Sequence, residues 1–139
     1  MDKGVIEILL IEDDPDDAEL TIHALKKNNL VNHLYHIDDG EKALDYLYRP
    51  GNEMPKLILL DLRMPRVDGI QILKKLKSDK DKKDIPVVAM ISSRDGKQYL
   101  ESHNVKADAY IIKPVDFKKF FGAIADLGLA WKIINTPVI

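Results

Sequence analysis

The chain contains no cysteine among its 139 residues. Disulfides, thiolate catalysis and cysteine-ligated metal sites are therefore excluded. No apolar run approaches the length needed to cross a bilayer. The segment Met1-Asp2-Lys3-Gly4 leads directly towards a short strand, without the apolar stretch of a signal peptide. A cytoplasmic protein is the expectation. A dominant charge is also missing, since 21 basic residues face 23 acidic ones for a net charge of -2. No global field draws such a chain to nucleic acid or to an anionic membrane. Repeats, low-complexity tracts and a second core are absent as well.

What remains is a globular composition, 45% hydrophobic and 32% charged, of ordinary single-domain size. Strand-like and helix-like patterns alternate five times along it. Strands are expected over about Glu7 to Ile11, His33 to Ile37, Leu57 to Leu60, Val87 to Ile91 and Ala109 to Ile112. The second is the more polar and belongs at an edge. The third is apolar on both faces and belongs in the middle. Helices are expected after Asp14-Pro15, over Glu41 to Tyr48, Ile70 to Lys77, Gly96 to Asn104 and Asp116 to Leu127. Asp14 suits a cap and Pro15 a first turn, where a missing N–H costs nothing. The last helix should turn Phe117, Phe120, Phe121, Ile124 and Leu127 to one side, with Gly128 stopping it. The charges of Ser78 to Asp84 alternate in sign, which fits a solvated loop better than a nucleic-acid patch. This alternation implies an α/β fold, a parallel sheet covered on both faces.

The strand ends carry the chemistry. Glu12, Asp13 and Asp14 follow Ile8-Leu9-Leu10-Ile11, Asp61 follows Leu57-Ile58-Leu59-Leu60, and Lys113 follows Tyr110-Ile111-Ile112. Parallel sheets place their sites at the carboxyl ends of the strands. Carboxylates gathered there repel one another unless a cation lies between them. Mg²⁺ prefers one or two carboxylates, several waters and a phosphate oxygen. Glu12, Asp13 and Asp61 could supply that shell, and Lys113 could neutralise a phosphoryl group. Taken singly, Asp14 and Asp61 are equally explained as caps. Pro114 holds Lys113 extended, and a cis bond between them is compatible with the sequence. His23, His33, His36 and His103 lack metal-ligand spacing, and Gly69, Gly96 and Gly128 read as turn and cap residues.

The segments Leu9 to Pro15, Leu57 to Pro65, Asp68-Gly69 and Tyr110 to Pro114 together resemble the receiver domains of two-component response regulators. The resemblance spans about residues 5 to 127. It implies a flavodoxin-like five-stranded sheet of order 2-1-3-4-5, as in the single-domain chemotaxis regulators. It implies that Asp61 is the phosphoacceptor, served by a sensor histidine kinase. Mg²⁺ would be held by Glu12, Asp13, Asp61 and the backbone carbonyl of Arg63. Lys113 would contact the phosphoryl group, and Tyr110 would be the aromatic switch residue. Phosphatase-like enzymes with an aspartate nucleophile carry a second aspartate two residues on. Arg63 stands there, so turnover of external substrates is not expected.

One position departs from the family. Ile91 stands where a Thr or Ser normally donates to the phosphoryl oxygen. Either Ser92 takes over that contact or it is absent, and an interaction scaffold with impaired switching is the alternative function. Arg63 and Ser93 occupy the two positions that in the family tune how fast water removes the phosphoryl group, and plain surface residues are the equal alternative there. The domain is assigned to residues 1–128, with an apolar extension over residues 129–139. That tail must be covered by its own domain or by a second copy in a homodimer, with Trp131 as anchor. The tail and the loop from Tyr48 to Pro55 resemble stand-alone regulators of phytochrome-type sensor kinases. The length leaves no room for a DNA-binding domain, so output is expected through protein contacts.

Overall fold

Four of the five strand segments consist almost wholly of residues that gain by leaving water, and this decides the architecture. In the computed structural model, which describes residues 7–26, 33–64, 68–92, 98, 100–101 and 103–128, these segments form one parallel sheet. Its strands are β1 (Ile8–Ile11), β2 (Leu34–Ile37), β3 (Leu57–Asp61), β4 (Val87–Ile91) and β5 (Ala109–Ile112). They lie in the order β2-β1-β3-β4-β5. The described helices are α1 (Pro15–Lys26), α2 (Gly40–Tyr48), α3 (Gly69–Ser78) and α4 (Phe117–Asp126). This is the expected topology. The polar β2 lies at an edge, and β3 is buried along its whole length.

Alternate residues of each strand face opposite layers. Leu9, Ile11, Ile58, Leu60, Ala89 and Ile91 pack against α2 and α3. Ile8, Leu10, Leu57, Leu59, Val88 and Met90 pack against α1 and α4. Each fully buried Leu or Ile contributes roughly 1.5–3 kcal/mol of transfer free energy. Ile11 is opposite Leu60, Asp61 opposite Met90, and Ile91 opposite Ile112. Glu12 therefore stands level with Asp61, and Lys113 lies two residues further along, beyond the end of β5, from where its side chain reaches both.

Every described helix begins on an aspartate. Asp14 Oδ1 accepts from Asp16 and Asp17 N–H at 2.8 and 3.1 Å, and Asp39 Oδ1 from Glu41 N–H at 2.7 Å. Asp68 and Asp116 cap α3 and α4 in the same way. Such a cap is worth about 1 kcal/mol. Phe121 departs from expectation: it is 44% exposed, while Ala123 takes a buried place. The apolar side of α4 is wider than the sheet beneath it.

Three lysines in and before the charged Ser78 to Asp84 segment find partners within the chain. Lys77 Nζ reaches Asp108 Oδ2 at 2.7 Å and the carbonyls of Lys83 and Ile85. Lys75 and Lys82 lie 4.9 and 4.5 Å from the centre of the Tyr48 ring, a cation–π arrangement. Of the helix expected over Gly96 to Asn104, Gln98, Leu100 and Glu101 are described and helical, and the rest lies largely outside the described residues. The tail with Trp131 also lies outside them, as do Ser93 and Pro65. Among the described residues, no helix is long and apolar enough to cross a membrane.

Candidate functional site

The end of β1 is fixed by backbone first. Glu12 N–H donates to the Ile37 carbonyl at 3.1 Å, which continues the ladder one residue beyond the strand. The His36 ring donates from Nε2 to the Glu12 carbonyl at 2.8 Å. Glu12 is thereby held by β2 on both sides of its peptide, and its side chain is fully buried. Asp13 is half-buried beside it.

Asp61 closes β3 and is 4% exposed. Its Oδ1 accepts the Arg63 N–H at 3.1 Å, so the loop after the strand folds back over one carboxylate oxygen. The sequence allowed Asp61 to be a loop cap, and in part it is one. Its other oxygen faces Lys113. The Lys113 N–H donates to the Ile91 carbonyl at 2.8 Å, which sets the residue at the end of β5. The Lys113–Pro114 bond is cis.

These three strand ends converge as expected. Ligand oxygens of Glu12, Asp13 and Asp61 lie within 4.8 Å of one another. Lys113 Nζ lies 2.9 Å from Glu12 Oε1 and 3.2 Å from Asp61 Oδ2. The contact to Glu12 is an ion pair by distance alone. Glu12 Oε1 is buried without a properly aligned hydrogen bond. An orphaned carboxylate oxygen in an all-oxygen donor set fits a hard divalent cation such as Mg²⁺.

The electrostatics agree. Burial first, and then the neighbouring Asp61 carboxylate, push Glu12 up to about 8, with Lys113 pulling the other way. Burial disfavours the charge on Lys113, but Glu12, Asp61 and Asp17 outweigh it and hold the ammonium above the ordinary lysine range. The site carries more negative charge than one ammonium can balance.

Ile91 is buried at the end of β4, on the same sheet face as Tyr110, and offers no donor. Ser92 is exposed just beyond it. Tyr110 is half-buried on β5, and its hydroxyl accepts the Ala107 N–H at 3.3 Å.

Two residues of the site, Asp17 and His36, escaped the sequence as site residues, and the close packing at Gly69 shows only in the fold. Asp17 reaches Lys113 from α1 at 3.2 Å. His36 steadies Glu12. Gly69 lies where a side chain would strike the carbonyl of Asp61 and come within 2.6 Å of Leu62 Cα. Asp17 lies three residues after the capping Asp14 in an acidic run, which is the only local hint. The contact of His36 depends on tertiary approach and leaves no pattern, whereas Gly69 was visible as a motif residue without its packing role.

Comparison with known proteins places nearly the whole chain beside proteins of one kind. Residues 8–125 match the model of the response regulator receiver domain. The response regulator Rcp1 of Synechocystis is 31% identical over 128 residues, 89% of this chain and 87% of that protein. Its Mn²⁺-bound crystal structure aligns with a TM-score of 0.70 at 30% identity, over 96% of this chain and 99% of that one. The bacteriophytochrome response regulator RtBRR aligns with a TM-score of 0.84 at 41% identity, over 96% of this chain and 84% of that one. For the bacteriophytochrome response regulator AtBRR the values are 0.82 and 38%, over 97% of both chains.

Proposed function

Because the chain belongs to the response regulator receiver family of two-component signalling, we propose that Asp61 accepts a phosphoryl group from the phosphohistidine of a sensor kinase. One observation carries this reading: Asp61 ends a central strand within an acidic cluster and faces the half-buried ammonium of Lys113. Receiver domains act in signalling and do not turn over external substrates, and Arg63 in place of a second aspartate accords with that.

In the proposed step, an Asp61 carboxylate oxygen bonds to phosphorus as the P–N bond to the kinase imidazole breaks. The electron pair stays on the imidazole nitrogen, which takes up a proton. No general base is needed, because the carboxylate is already the nucleophile. The demand is for alignment and charge neutralisation. The Arg63 N–H fixes one carboxylate oxygen and leaves the other towards Lys113. Lys113 then faces the transferred oxygens as a point charge. Glu12, Asp13, Asp61 and the Arg63 carbonyl would hold Mg²⁺, which neutralises phosphoryl oxygens when bound. The Mn²⁺-bound form of Rcp1 supports a divalent cation in this setting.

The bacteriophytochrome regulators among the relatives favour a phytochrome-type kinase as donor. A second reading, an interaction scaffold, is favoured only by the apolar Ile91. Incubation with the phosphorylated catalytic core of such a kinase tests the proposal. Label should move to wild type in Mg²⁺ and not to Asp61→Asn. Equal transfer to both proteins would refute Asp61 as the acceptor.

A further inference from the structure

Lys113 has one partner more than the phosphoacceptor reading of Asp61 requires, and the inference rests on that reading. An ammonium has three N–H donors and no acceptor. Three carboxylates surround this one, from Glu12, Asp17 and Asp61 at 2.9, 3.2 and 3.2 Å. Asp61 loses its free charge when it is phosphorylated, and Glu12 faces the cation cluster. Asp17 has neither role. It stands in the first turn of α1, its side chain is 42% exposed, and it lies outside the cluster. Yet its Oδ2 accepts an aligned hydrogen bond from Lys113 Nζ, which Glu12 Oε1 does not. The backbone of Asp17 is held by the Asp14 cap at 3.1 Å, so it cannot follow Lys113 across the site.

We propose that Asp17 is a positioning residue that competes with the phosphoryl group for Lys113. A phosphoryl group on Asp61 brings three oxygens to an ammonium whose donors already have carboxylates around them. One of those must yield. Asp17 is the most exposed of the three, so water solvates it most readily when Lys113 leaves. In the unphosphorylated chain it draws Lys113 towards α1 and adds negative charge beside the incoming anion. Both effects favour the unphosphorylated form. Loss of an ion pair between Lys113 and α1 then accompanies phosphorylation.

Beryllofluoride, a stable mimic of the phosphoryl group, separates the outcomes. Its affinity for the full chain would be measured by titration calorimetry in saturating Mg²⁺. Asp17→Asn should bind it roughly two- to five-fold more tightly than wild type, the range for an ion pair with one exposed member. Asp16→Asn removes the same charge from the same turn without touching Lys113, and should bind as wild type does. A general helix-terminus effect would move both variants alike. Unchanged or weaker binding by Asp17→Asn, or an equal gain in Asp16→Asn, would overturn the inference alone. A wild-type protein that takes up no beryllofluoride would overturn the phosphoacceptor reading and this inference with it.

Discussion

Glu12 is the residue at which burial and charge are most opposed, and its protonation gives the site a pH dependence. Its carboxyl rises from 4.5 to about 8 on folding. Between those values the folded chain binds more protons than the unfolded one, so stability falls as pH rises and levels off above about 8. A cation needs the deprotonated carboxylate and reverses the loss. Mg²⁺ should therefore raise the melting temperature more at pH 8 than at pH 6, and Glu12→Gln should abolish most of that difference. Thermal unfolding of both proteins, with and without Mg²⁺, checks this. Identical pH profiles would contradict it. Glu12, Asp13, Asp61 and Lys113 were legible because each ends or follows an apolar run. Asp17 and His36 were not. Their contacts exist only because α1 passes the end of β5 and β2 lies beside β1.

Among the elements, the boundaries most easily read were those set by a single chemical cause. Asp14 and Asp116 announce α1 and α4 because a carboxylate satisfies N–H groups that a helix start leaves unpaired. The positive φ of Gly128, 72°, agrees with its expected place as the stop after α4. The expectation for Phe121 failed because helical spacing shows which residues share a side, not how far the sheet extends beneath it. Gly69 needed the fold to be understood. It looked like a turn glycine, but it starts α3 against the backbone that leaves β3, and its N–H donates to the Leu62 carbonyl at 3.1 Å. A methyl group there would push α3 off the loop that carries Asp61. Gly69→Ala is expected to cost roughly 1–3 kcal/mol, the usual penalty of overpacking. Urea unfolding measures it, and a change below about 0.5 kcal/mol, the scale of a surface substitution, would show that the contact relaxes freely.

At the scale of the whole molecule, two apolar layers clamp a parallel sheet whose strands β1, β3 and β5 all end at the same edge. The α/β class and the edge and central strands were readable from hydrophobic pattern. The strand order was not, and came from resemblance, because the pattern gives each strand two apolar faces without naming its neighbours. The central claim is that this sheet brings Asp61, the acidic cluster and Lys113 together to accept a phosphoryl group. Intact-mass spectrometry after incubation with Mg²⁺ and acetyl phosphate tests it most directly. The account predicts one added phosphoryl group on wild type, lost in Asp61→Asn and in the presence of chelator. An adduct that persists in Asp61→Asn, or that forms equally without Mg²⁺, would contradict it.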